Sequence, residues 1–373
     1  MAISAARRTA FGVLQKVEGG GYASDLLLRE CAALDARDAG LASEIVFGVL
    51  RRRAQLDFLI EKQAGPRKLD AAVRTALRMG IYQLRHLDRV PAHAAIGESV
   101  ELVKRARKVS AAGLVNAVLR RVAAGDLPTA EAQRARREHG EGGDQGPQRI
   151  EWPSREVELS CPEWLLRRWE RQYGAEIAEG IARAALREPE KYARRGRMQD
   201  IGAQAIVPLL GLSAGQTFLD LCAAPGNKTA QAMEAGVRAF ACDVHFHRIA
   251  GMKGMGAELA VVDGTEPLPF GRRFDRVLVD APCSGTGTLG RNPEIKWKLR
   301  EDDLADLQQR QAALLRNALA VLEPGGVLVY STCSMEREEN EDVVAAAGAR
   351  VRETMQRVPG RDPGDGFFAA VIT

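Results

Sequence analysis

Long apolar runs are missing from this sequence of 373 residues. A helix that crosses a bilayer needs about 18 or more consecutive apolar residues, and no stretch reaches that length, so no transmembrane helix is predicted. The first residues, "MAISAARRTAFGVLQ", form an amphipathic pattern without the apolar segment of a secretory signal peptide. We therefore expect no membrane partner and a location in the cytoplasm.

Metal-binding patterns are missing as well. The chain has 6 cysteines and 5 histidines, but no CxxC pair occurs, and the histidines do not stand at ligand spacing from the cysteines. A structural zinc site is therefore not predicted, and we expect no bound metal. So few cysteines in so long a chain do not form a disulfide framework, and reduced thiols fit the cytoplasm.

Charge, in contrast, is present and unevenly distributed. Residues 1–125 hold 21 Lys+Arg and 12 Asp+Glu, a net charge of +9, whereas the whole chain carries +4. Much of the excess stands in "RRR" at 51–53, "PRK" at 66–68, "KRARK" at 104–108 and "RR" at 120–121. A basic region of this kind fits a polyanionic partner, most simply nucleic acid. Any single cluster can instead be a solvated helix face.

The first third of the chain has the periodicity of helices and no alternating strand pattern. Apolar residues recur at spacings of three and four in "ARRTAFGVLQKV", "LASEIVFGVLRRRAQLDFLIEKQ" and "AAIGESVELVKRARK". Short breakers such as "EGGGYA" and "RVPAH" separate these segments. We predict an all-α domain over residues 1–127, a polar linker over 128–154 and a helical connector over 155–198.

Over residues 199–373, strand and helix patterns alternate. Strands are predicted at "QTFLDLCAA", "VRAFACDV", "LAVVDG", "FDRVLVDAP" and "GVLVYSTC", with helices between them. This order predicts an α/β domain, Rossmann-like, with a parallel sheet covered by helices on both faces. Ligands of such sheets bind beyond the carboxyl ends of the strands, so the residues that follow each strand are candidates for a site.

Aspartates stand at the ends of four successive strands: Asp220, Asp243, Asp263 and Asp280. A single aspartate there can simply cap the next helix, but four in register are a recurrent pattern of methyltransferases that use S-adenosylmethionine. That cofactor has a ribose diol, an adenine amine and a cationic ammonium, all of which can use carboxylate acceptors. We therefore predict S-adenosylmethionine as the cofactor, with Asp243 placed to bind ribose hydroxyls.

The loop "CAAPGNKT" follows the first strand. It matches neither GxGxxG nor GxxxxGK[ST], so it does not indicate a dinucleotide or a nucleoside triphosphate. Its small residues let backbone approach a ligand closely. The predicted cofactor contacts in this loop are Cys222, Ala223, Ala224, Pro225 and Gly226. Cys222 can also pack as a small apolar side chain, and Lys228 can contact the cofactor or cap the loop.

Three blocks, "DLCAAPGNKT", "DAPCSGTGTLGRNPEIKW" and "YSTCSMEREENEDVV", resemble the signature blocks of the RNA 5-methylcytosine methyltransferases of the Sun/Fmu (RsmB) type. The stretches "ASEIVFGVLRRRAQLDFLI", "ALRMGIYQL", "VPAHAAIGESVELVK" and "LVNAVLRR" resemble the antitermination factor NusB, which the bacterial branch of that family carries at its N-terminus. The resemblance covers most of the chain. It implies a NusB-like RNA-binding domain and methylation of carbon-5 of a cytosine in small-subunit ribosomal RNA.

Two cysteines, Cys283 and Cys333, each lie just past a predicted strand. Carbon-5 of cytosine is a poor nucleophile, and a thiolate that adds to carbon-6 activates it. The sequence alone leaves open which cysteine does this. The resemblance implies that Cys333 is the covalent nucleophile, that Cys283 assists product release, and that Asp280 lies near both cofactor and base. It also implies that Arg248 supports the cofactor pocket, with surface solvation as the alternative.

The surroundings of Cys333 give opposing signals. It precedes a predicted helix, whose N-terminus favours a thiolate. The acidic residues that follow it are Glu336, Glu338, Glu339, Glu341 and Asp342. Acids that face the thiol oppose its ionisation, and the sequence leaves this balance open.

The chain departs from the family pattern between "AALREPEKY" and "MQDIGAQ", where the family has a longer, RNA-contacting segment. Only "ARRGR", residues 193–197, stands here, which bears on RNA affinity and target choice more than on fold or chemistry. Asn227 replaces a usual glycine, and Lys296 is a candidate for phosphate or base contact. We expect a monomer. The alternatives are a ribosome-assembly factor with a vestigial methyltransferase domain and a methyltransferase of protein or small molecules.

Overall fold

The computed structural model describes residues 2–126 and 150–373, so the predicted linker over 128–154 lies outside the described residues except at its end. The described chain forms two compact units. One contains Met1–Leu166 and Asn292–Lys298, and the other contains Arg167–Arg291 and Leu299–Thr373. None of the described helices combines the length and the apolar character that crossing a membrane requires.

The α-helices of the described residues are numbered along the chain. They are α1 (Ala5–Glu18), α2 (Ala23–Glu30), α3 (Ala36–Arg51), α4 (Arg53–Ala64), α5 (Ala71–His86), α6 (Ala92–Arg105), α7 (Ala112–Arg121), α8 (Arg155–Leu159), α9 (Glu163–Tyr173), α10 (Ala175–Ala184), α11 (Ile201–Gln204), α12 (Asn227–Met233), α13 (Phe246–Ala250), α14 (Ile295–Lys298), α15 (Asp303–Ala320) and α16 (Glu341–Ala346). The first seven precede the linker, which confirms the all-helical prediction for that part of the chain.

The strands belong to the second unit. They are β1 (Ala193–Arg194), β2 (Arg197–Met198), β3 (Thr217–Asp220), β4 (Arg238–Asp243), β5 (Glu258–Val261), β6 (Phe274–Asp280), β7 (Leu322–Thr332), β8 (Val351–Arg357) and β9 (Phe367–Ile372). β1 and β2 form a small hairpin, and the others form one sheet in the order β5-β4-β3-β6-β7-β9-β8.

Helix α5 is central to the helical unit, because 12 of its 16 residues are buried. Gly80 lies where α5 meets α7, and a Cβ atom on it would stand 2.6 Å from Leu119, so the close approach requires glycine. Buried Gln83 of the same helix accepts a hydrogen bond from Arg7 Nε at 2.6 Å. These two buried polar side chains are therefore paired with each other.

Part of the predicted basic surface is internal to the helical unit. Arg51 is 6% exposed, and its carbonyl accepts a hydrogen bond from Lys296 Nζ at 2.9 Å. Lys296 is itself 1% exposed, and burial lowers its pKa to about 8. The guanidinium of Arg53 stacks 5.5 Å from the ring centroid of Trp297. The expectation that Lys296 contacts RNA is therefore wrong, because its ammonium is committed to the protein backbone.

The central strands of the sheet in the second unit are buried on both faces. Strands β5, β4, β3, β6 and β7 are parallel to their neighbours, as predicted. On one face Leu219 of β3 packs in a cluster with Leu315 of α15. On the other face Phe218 packs in a cluster with Ile206. Alternate residues of one strand thus serve two cores, as in doubly covered parallel sheets.

Two features of the second unit differ from the sequence-based expectation. Strands β8 and β9 add an antiparallel edge to the parallel sheet, with β9 paired to β7. All six residues of β9 are buried, so "FFAAVI" lacks the alternation that marks a half-exposed strand. The β1–β2 hairpin stands where a helical connector was expected, and its turn places Arg195 and Gly196 at φ of +45° and +78°.

Candidate active site

The carboxyl ends of the parallel strands carry the predicted aspartates. Asp220, Asp243 and Asp280 are each the last residue of their strands β3, β4 and β6, and Asp263 follows β5 by two residues. Because these strands are parallel neighbours in the sheet, the four residues stand along one edge of it. This edge is where ligands of such sheets bind.

A tight loop joins β3 to α12. Gly226 N donates to Ala223 O at 2.7 Å. Gly226 has a φ of +99°, and a Cβ atom there would lie 2.5 Å from Met255 Cε, so the position requires glycine. Asn227 begins α12, and its amide donates to Met198 O at 3.3 Å. The substitution of the usual glycine at Asn227 therefore imposes no backbone conflict.

A cavity of about 350 Å³ opens beside this loop. Its lining residues are Tyr192, Met198, Gln199, Asp200, Ala203, Asp220, Cys222, Ala223, Ala224, Pro225, Asn227, Lys228, Asp280, Arg291 and Asp365. The predicted site residues outside this lining are Gly226, Asp243, Arg248, Asp263, Cys283 and Cys333. The cavity therefore unites the predicted cofactor loop with two of the four aspartates.

Asp220 lines the cavity and is 1% exposed. Its Oδ2 accepts a hydrogen bond from Thr229 Oγ1 at 2.7 Å, whereas Oδ1 has no hydrogen-bond partner. Burial raises the pKa of Asp220 to about 7. A buried acceptor left without a donor is costly unless something supplies one. Asp220 is thus suited to receive a cationic or hydroxyl group of a ligand.

Asp280 and Lys228 form an ion pair at the cavity wall. Lys228 Nζ lies 2.6 Å from Asp280 Oδ2, and Ser331 Oγ donates to Oδ1 at 2.7 Å. Burial lowers the pKa of Lys228, but the attraction of Asp280, with a contribution from Cys333, outweighs burial and raises it. The ammonium therefore stays charged, held by Asp280 and within electrostatic reach of a thiol.

The two strand-end cysteines meet. The Sγ atoms of Cys283 and Cys333 are 3.4 Å apart, and both side chains are half-buried. The hydrogen bond to Cys333, followed by burial, raises the pKa of Cys283 well above its usual value, and the charge of Glu339 adds to the effect. Cys283 is therefore a neutral thiol at neutral pH, in contact with the second thiol.

Gly287 joins three segments behind the thiols. Its N–H donates to Cys333 O at 2.9 Å, and its carbonyl accepts from Gly366 N at 2.8 Å. A Cβ atom on Gly287 would lie 2.4 Å from Gly366 O and 2.8 Å from Cys333 O. The position admits only glycine, because the loop after Cys333 and the start of β9 approach it from both sides.

The acidic residues after Cys333 are largely bound by other partners. Glu336 accepts hydrogen bonds from Arg168 Nε and Trp169 Nε1, both at 3.0 Å. Arg168 Nη2 donates to Glu338 at 2.6 Å. Helix α16 begins at Glu341, so the helix N-terminus expected beside Cys333 stands further along the chain. The cation of Arg168 offsets two of the acidic charges, and the helix terminus does not adjoin the thiol.

The remaining predicted cofactor residues lie around the cofactor loop. Arg248 Nη1 is 3.6 Å from Asp243 Oδ2, and its Nη2 donates to Ala224 O at 3.3 Å. Arg248 thus bridges the loop and the aspartate at the end of β4. Asp263 accepts hydrogen bonds from the N–H and hydroxyl of Thr265, which lower its pKa. Within residues 2–126 and 150–373, no group of three or more His, Cys, Asp or Glu side chains is arranged to hold a metal ion.

Comparison with known proteins places this site in a family. The family model "16S rRNA methyltransferase RsmB/F" matches residues 207–357, and the model "NusB family" matches residues 4–124. The "Ribosomal RNA small subunit methyltransferase B" of Citrobacter koseri is 31% identical over 437 aligned positions, which cover 97% of this chain and 97% of that protein. This chain belongs to the ribosomal RNA small subunit methyltransferase B family.

A second relative agrees with this assignment, and one solved structure supports the fold. The "Probable ribosomal RNA small subunit methyltransferase B" of Bacillus subtilis (strain 168) is 30% identical over 406 positions, covering 91% of this chain and 87% of that protein. The crystal structure of PH0851 matches 100% of this chain and 99% of its own, with a TM-score of 0.76 at 21% identity, which supports the fold. The predicted NusB-like and Rossmann-like fold class is confirmed. The alignment to the Citrobacter koseri relative is longer than this chain, so that relative carries segments that this family member lacks.

The cofactor of this family member is S-adenosylmethionine, as predicted. The residues present fit it. Asp220 offers a buried oxygen without a hydrogen-bond partner. Asp243 ends β4, the second parallel strand along the chain, where ribose hydroxyls are commonly bound. Gly226 allows the tight turn of the loop whose residues 222–225 line the cavity. The chain is an S-adenosylmethionine-dependent methyltransferase.

The cavity lining includes residues that carry no strand-end signal in the sequence, among them Tyr192, Arg291 and Asp365. Arg291 Nε donates to Asp365 Oδ2 at 2.9 Å, and its Nη2 donates to Asp200 Oδ2 at 3.1 Å. Burial raises the pKa of Asp365 to about 6, and Arg291 opposes this rise. The signal available for Arg291 was indirect, because this residue stands within "DAPCSGTGTLGRNPEIKW", which resembles a family block.

Proposed function

We propose that this methyltransferase acts on carbon-5 of a cytosine in small-subunit ribosomal RNA, through a covalent bond between Cys333 and the base. One observation carries the proposal. The thiols of Cys283 and Cys333 stand 3.4 Å apart beside the Asp280–Lys228 ion pair. A methyltransferase that acts on an amine or a hydroxyl has no use for two adjacent thiols at the cofactor edge.

The chemistry explains why a thiol is needed. Carbon-5 of cytosine is too weak a nucleophile to accept a methyl group directly, whereas sulfur adds readily to carbon-6. When the Cys333 sulfur bonds to carbon-6, the electron pair of the ring double bond becomes available at carbon-5. Bound S-adenosylmethionine supplies a methyl group on a sulfonium, which is an electrophilic carbon. After carbon-5 is methylated, its proton leaves, the bond between carbon-6 and sulfur breaks, and the thiolate is restored.

The groups that neighbour the two thiols suit different steps of this reaction. Lys228 places a positive charge near Cys333, the side on which we propose that sulfur attacks. Cys283 has a raised pKa, so it remains a neutral thiol that can donate a hydrogen bond beside the adduct and assist its release. Asp280 holds Lys228 in place and faces the cavity. The assignment of Cys333 as the nucleophile follows the family pattern.

The proposed cofactor contacts follow from the cavity and the strand ends. Asp220 and Asp280 offer carboxylates within the cavity, and Asp243 offers one beside it for the ribose hydroxyls. Residues 222–226 supply the close backbone approach. Arg248 supports this arrangement by tying the loop to the strand end. Asp263 is proposed as a further acceptor at the neighbouring strand.

The proposed RNA partner has to present an accessible base. A cytosine within a helix must leave its stack before a thiol reaches carbon-6, or it must lie in a loop. The helical unit carries the excess of positive charge and is proposed to supply phosphate contacts. Binding to RNA should therefore weaken steeply as the salt concentration rises.

The test is methyl transfer to unmodified small-subunit ribosomal RNA, with mapping of 5-methylcytosine by bisulfite sequencing. We expect one or a few cytosines to gain a methyl group, and none in a Cys333→Ala sample. Calorimetric titration with S-adenosylmethionine serves as the control for a folded site. Normal cofactor binding with no 5-methylcytosine would overturn the proposal. RNA binding without methylation of any base would favour a ribosome-assembly role.

A further inference from the structure

The end of helix α6 has an arginine where glycine is usual. Arg107 has a φ of +61°, its N–H donates to Lys104 O at 2.9 Å, and Lys108 N donates to Val103 O at 3.0 Å. This pair of bonds is the common left-handed helix ending, whose left-handed position favours glycine because a Cβ atom disfavours that conformation. An exposed arginine held there is strained, and strain of this kind collects at functional positions.

Other cations surround this helix end. Lys108 Nζ lies 2.8 Å from Asp70 Oδ2, and Arg121 Nη1 donates to Gln63 O at 2.6 Å. These two contacts place the start of α5 beside the end of α6, and the end of α4 beside the end of α7. The exposed residues that this arrangement gathers are Arg67, Lys68, Arg105, Arg107, Lys108 and Val109. We call them the Arg107 surface.

The charges of this surface are mostly unopposed. Lys108 pairs with Asp70, but the described residues offer no ion pair to Arg67, Lys68, Arg105 or Arg107. Val109 is 63% exposed at the same place and adds an apolar contact. In the same unit, Arg51 is buried and engaged with the protein, so the two basic segments differ in what they can offer a partner.

We propose that the Arg107 surface binds the phosphate backbone of RNA, an inference that rests on the proposed function. Arginine is suited to this task because its planar guanidinium binds phosphate oxygens in a bidentate manner. Exposed Val109 is suited to contact a sugar or a base edge between two phosphates. The strained conformation of Arg107 aims a guanidinium from the helix end, a placement that glycine would not provide.

The test is Arg107→Gly, which removes the charge and the strain together. We expect the melting temperature to stay the same or rise. The slope of log binding constant against log salt concentration should fall in magnitude by about 0.7 to 0.9, as for one lost phosphate contact. Binding is measured by fluorescence anisotropy with a small-subunit ribosomal RNA transcript. Arg37→Ala, which removes an exposed cation from α3, is the matched control and should leave the slope unchanged.

The outcomes separate this inference from the proposed function. An unchanged slope in Arg107→Gly, or an equal fall in Arg37→Ala, overturns the role of the Arg107 surface even when methylation proceeds. If the slope is reduced in Arg107→Gly but no 5-methylcytosine is formed by the unchanged protein, the proposed function is overturned and the role of the Arg107 surface in RNA binding is supported. The double variant Arg67→Gln, Lys68→Gln repeats the test on the adjoining loop. An unchanged slope in that variant also overturns the inference.

A second and independent observation concerns Glu339, which is fully buried. Its Oε1 accepts hydrogen bonds from Ser284 N at 2.8 Å and Gln311 Nε2 at 2.9 Å. Its Oε2 accepts from the hydroxyls of Ser284 and Ser334. All four acceptor positions of the carboxylate are thus filled by donors. A buried carboxylate with this full set is held in a single orientation.

The two serines directly follow the two cysteines. Ser284 is next to Cys283 and Ser334 is next to Cys333, so one carboxylate holds both cysteine loops. The backbone carbonyl of Glu339 is itself fixed by the hydroxyl of Tyr330, which donates at 2.7 Å. We infer that Glu339 is a positioning residue that sets the separation of the two thiols.

The test is Glu339→Gln, which keeps the shape and replaces one oxygen by an amide group that cannot accept from the serine hydroxyls. We expect kcat for methylation to fall by about 100-fold, as for a displaced reacting group, with KM for S-adenosylmethionine unchanged. The second readout is formation of the Cys283–Cys333 disulfide by the azo oxidant diamide. Diamide takes the two electrons and two protons of the thiols, and the reaction should be slower in the variant.

A purely structural role would lower stability without changing these readouts. A folded Glu339→Gln enzyme with normal kcat and normal disulfide formation overturns the inference. If that variant does not fold, Ser284→Ala and Ser334→Ala carry the test singly and together. Their effects on kcat should be strongly non-additive, because both hydroxyls act through one carboxylate. Additive effects would reject the role of Glu339.

Discussion

The two cysteine loops have similar sequences and different electrostatic surroundings. Cys283 and Cys333 each follow a buried strand, each precede a serine, and their sulfurs touch. The ammonium of Lys228 interacts with Cys333. Cys283 instead has its pKa raised by the bond to Cys333, by burial and by the charge of Glu339. The two thiols are thus in contact with each other but differ in the charged groups that act on them.

The largest expected effect separates the two thiols outright. Cys333→Ala should reduce methylation to background, because no sulfur remains to form the bond to carbon-6. Transfer of a labelled methyl group to ribosomal RNA measures this. Cys31→Ala, which removes another half-buried thiol from the helical unit, is the control and should retain activity. Substantial methylation by the Cys333→Ala variant would contradict the proposal that Cys333 is the covalent nucleophile.

The next effect concerns product release. Cys283→Ala should accumulate protein covalently joined to RNA, because the first bond forms while its breakdown loses the assistance of the neutral thiol. The complex is detected as an RNA-dependent band that survives denaturing electrophoresis. The double variant lacking both thiols should form no such band. Accumulation in Cys333→Ala instead would show that the two roles are exchanged.

The smallest effect is a difference in chemical reactivity. At pH 7.5 iodoacetamide should modify Cys333 faster than Cys283, because alkylation requires a thiolate and the pKa of Cys283 is raised. Peptide mass spectrometry gives the two rates. The difference between the two alkylation rates should become smaller as the pH rises and Cys283 ionises. Faster labelling of Cys283 than of Cys333 at pH 7.5 would contradict the prediction.

The sequence predicted the fold where periodicity was clear. Helices of the first unit and the five parallel strands follow directly from spacing of apolar residues. Strand β9 was not predicted, because all six of its residues are buried and their sequence shows no alternation of apolar and polar residues. The β1–β2 hairpin was not predicted either, because its strands have two residues each, too few to show a periodic pattern of apolar residues.

The site was predictable only in part, for a related reason. Residues at strand ends can be found by rule, and Asp220 and Asp280 line the cavity as expected. Contacts between distant segments leave no local pattern. The hydrogen bonds that Glu339 accepts and the burial of Lys296 both depend on segments that are distant in sequence and adjacent in the fold. Charge counting likewise treats Lys296 as an exposed cation, because composition does not report burial.

Strand β9 has a consequence for the synthesis of the protein. It lies between β7 and β8 in the sheet although it comes last of all the strands, and Gly366 at its start bonds to Gly287 behind the thiols. A ribosome delivers Cys283 and Cys333 well before β9 emerges. The nascent chain can therefore hold its complete cofactor loop and both cysteines while lacking the strand that braces them. Such a chain should acquire its methyltransferase activity late, after the NusB-like helices have had time to fold.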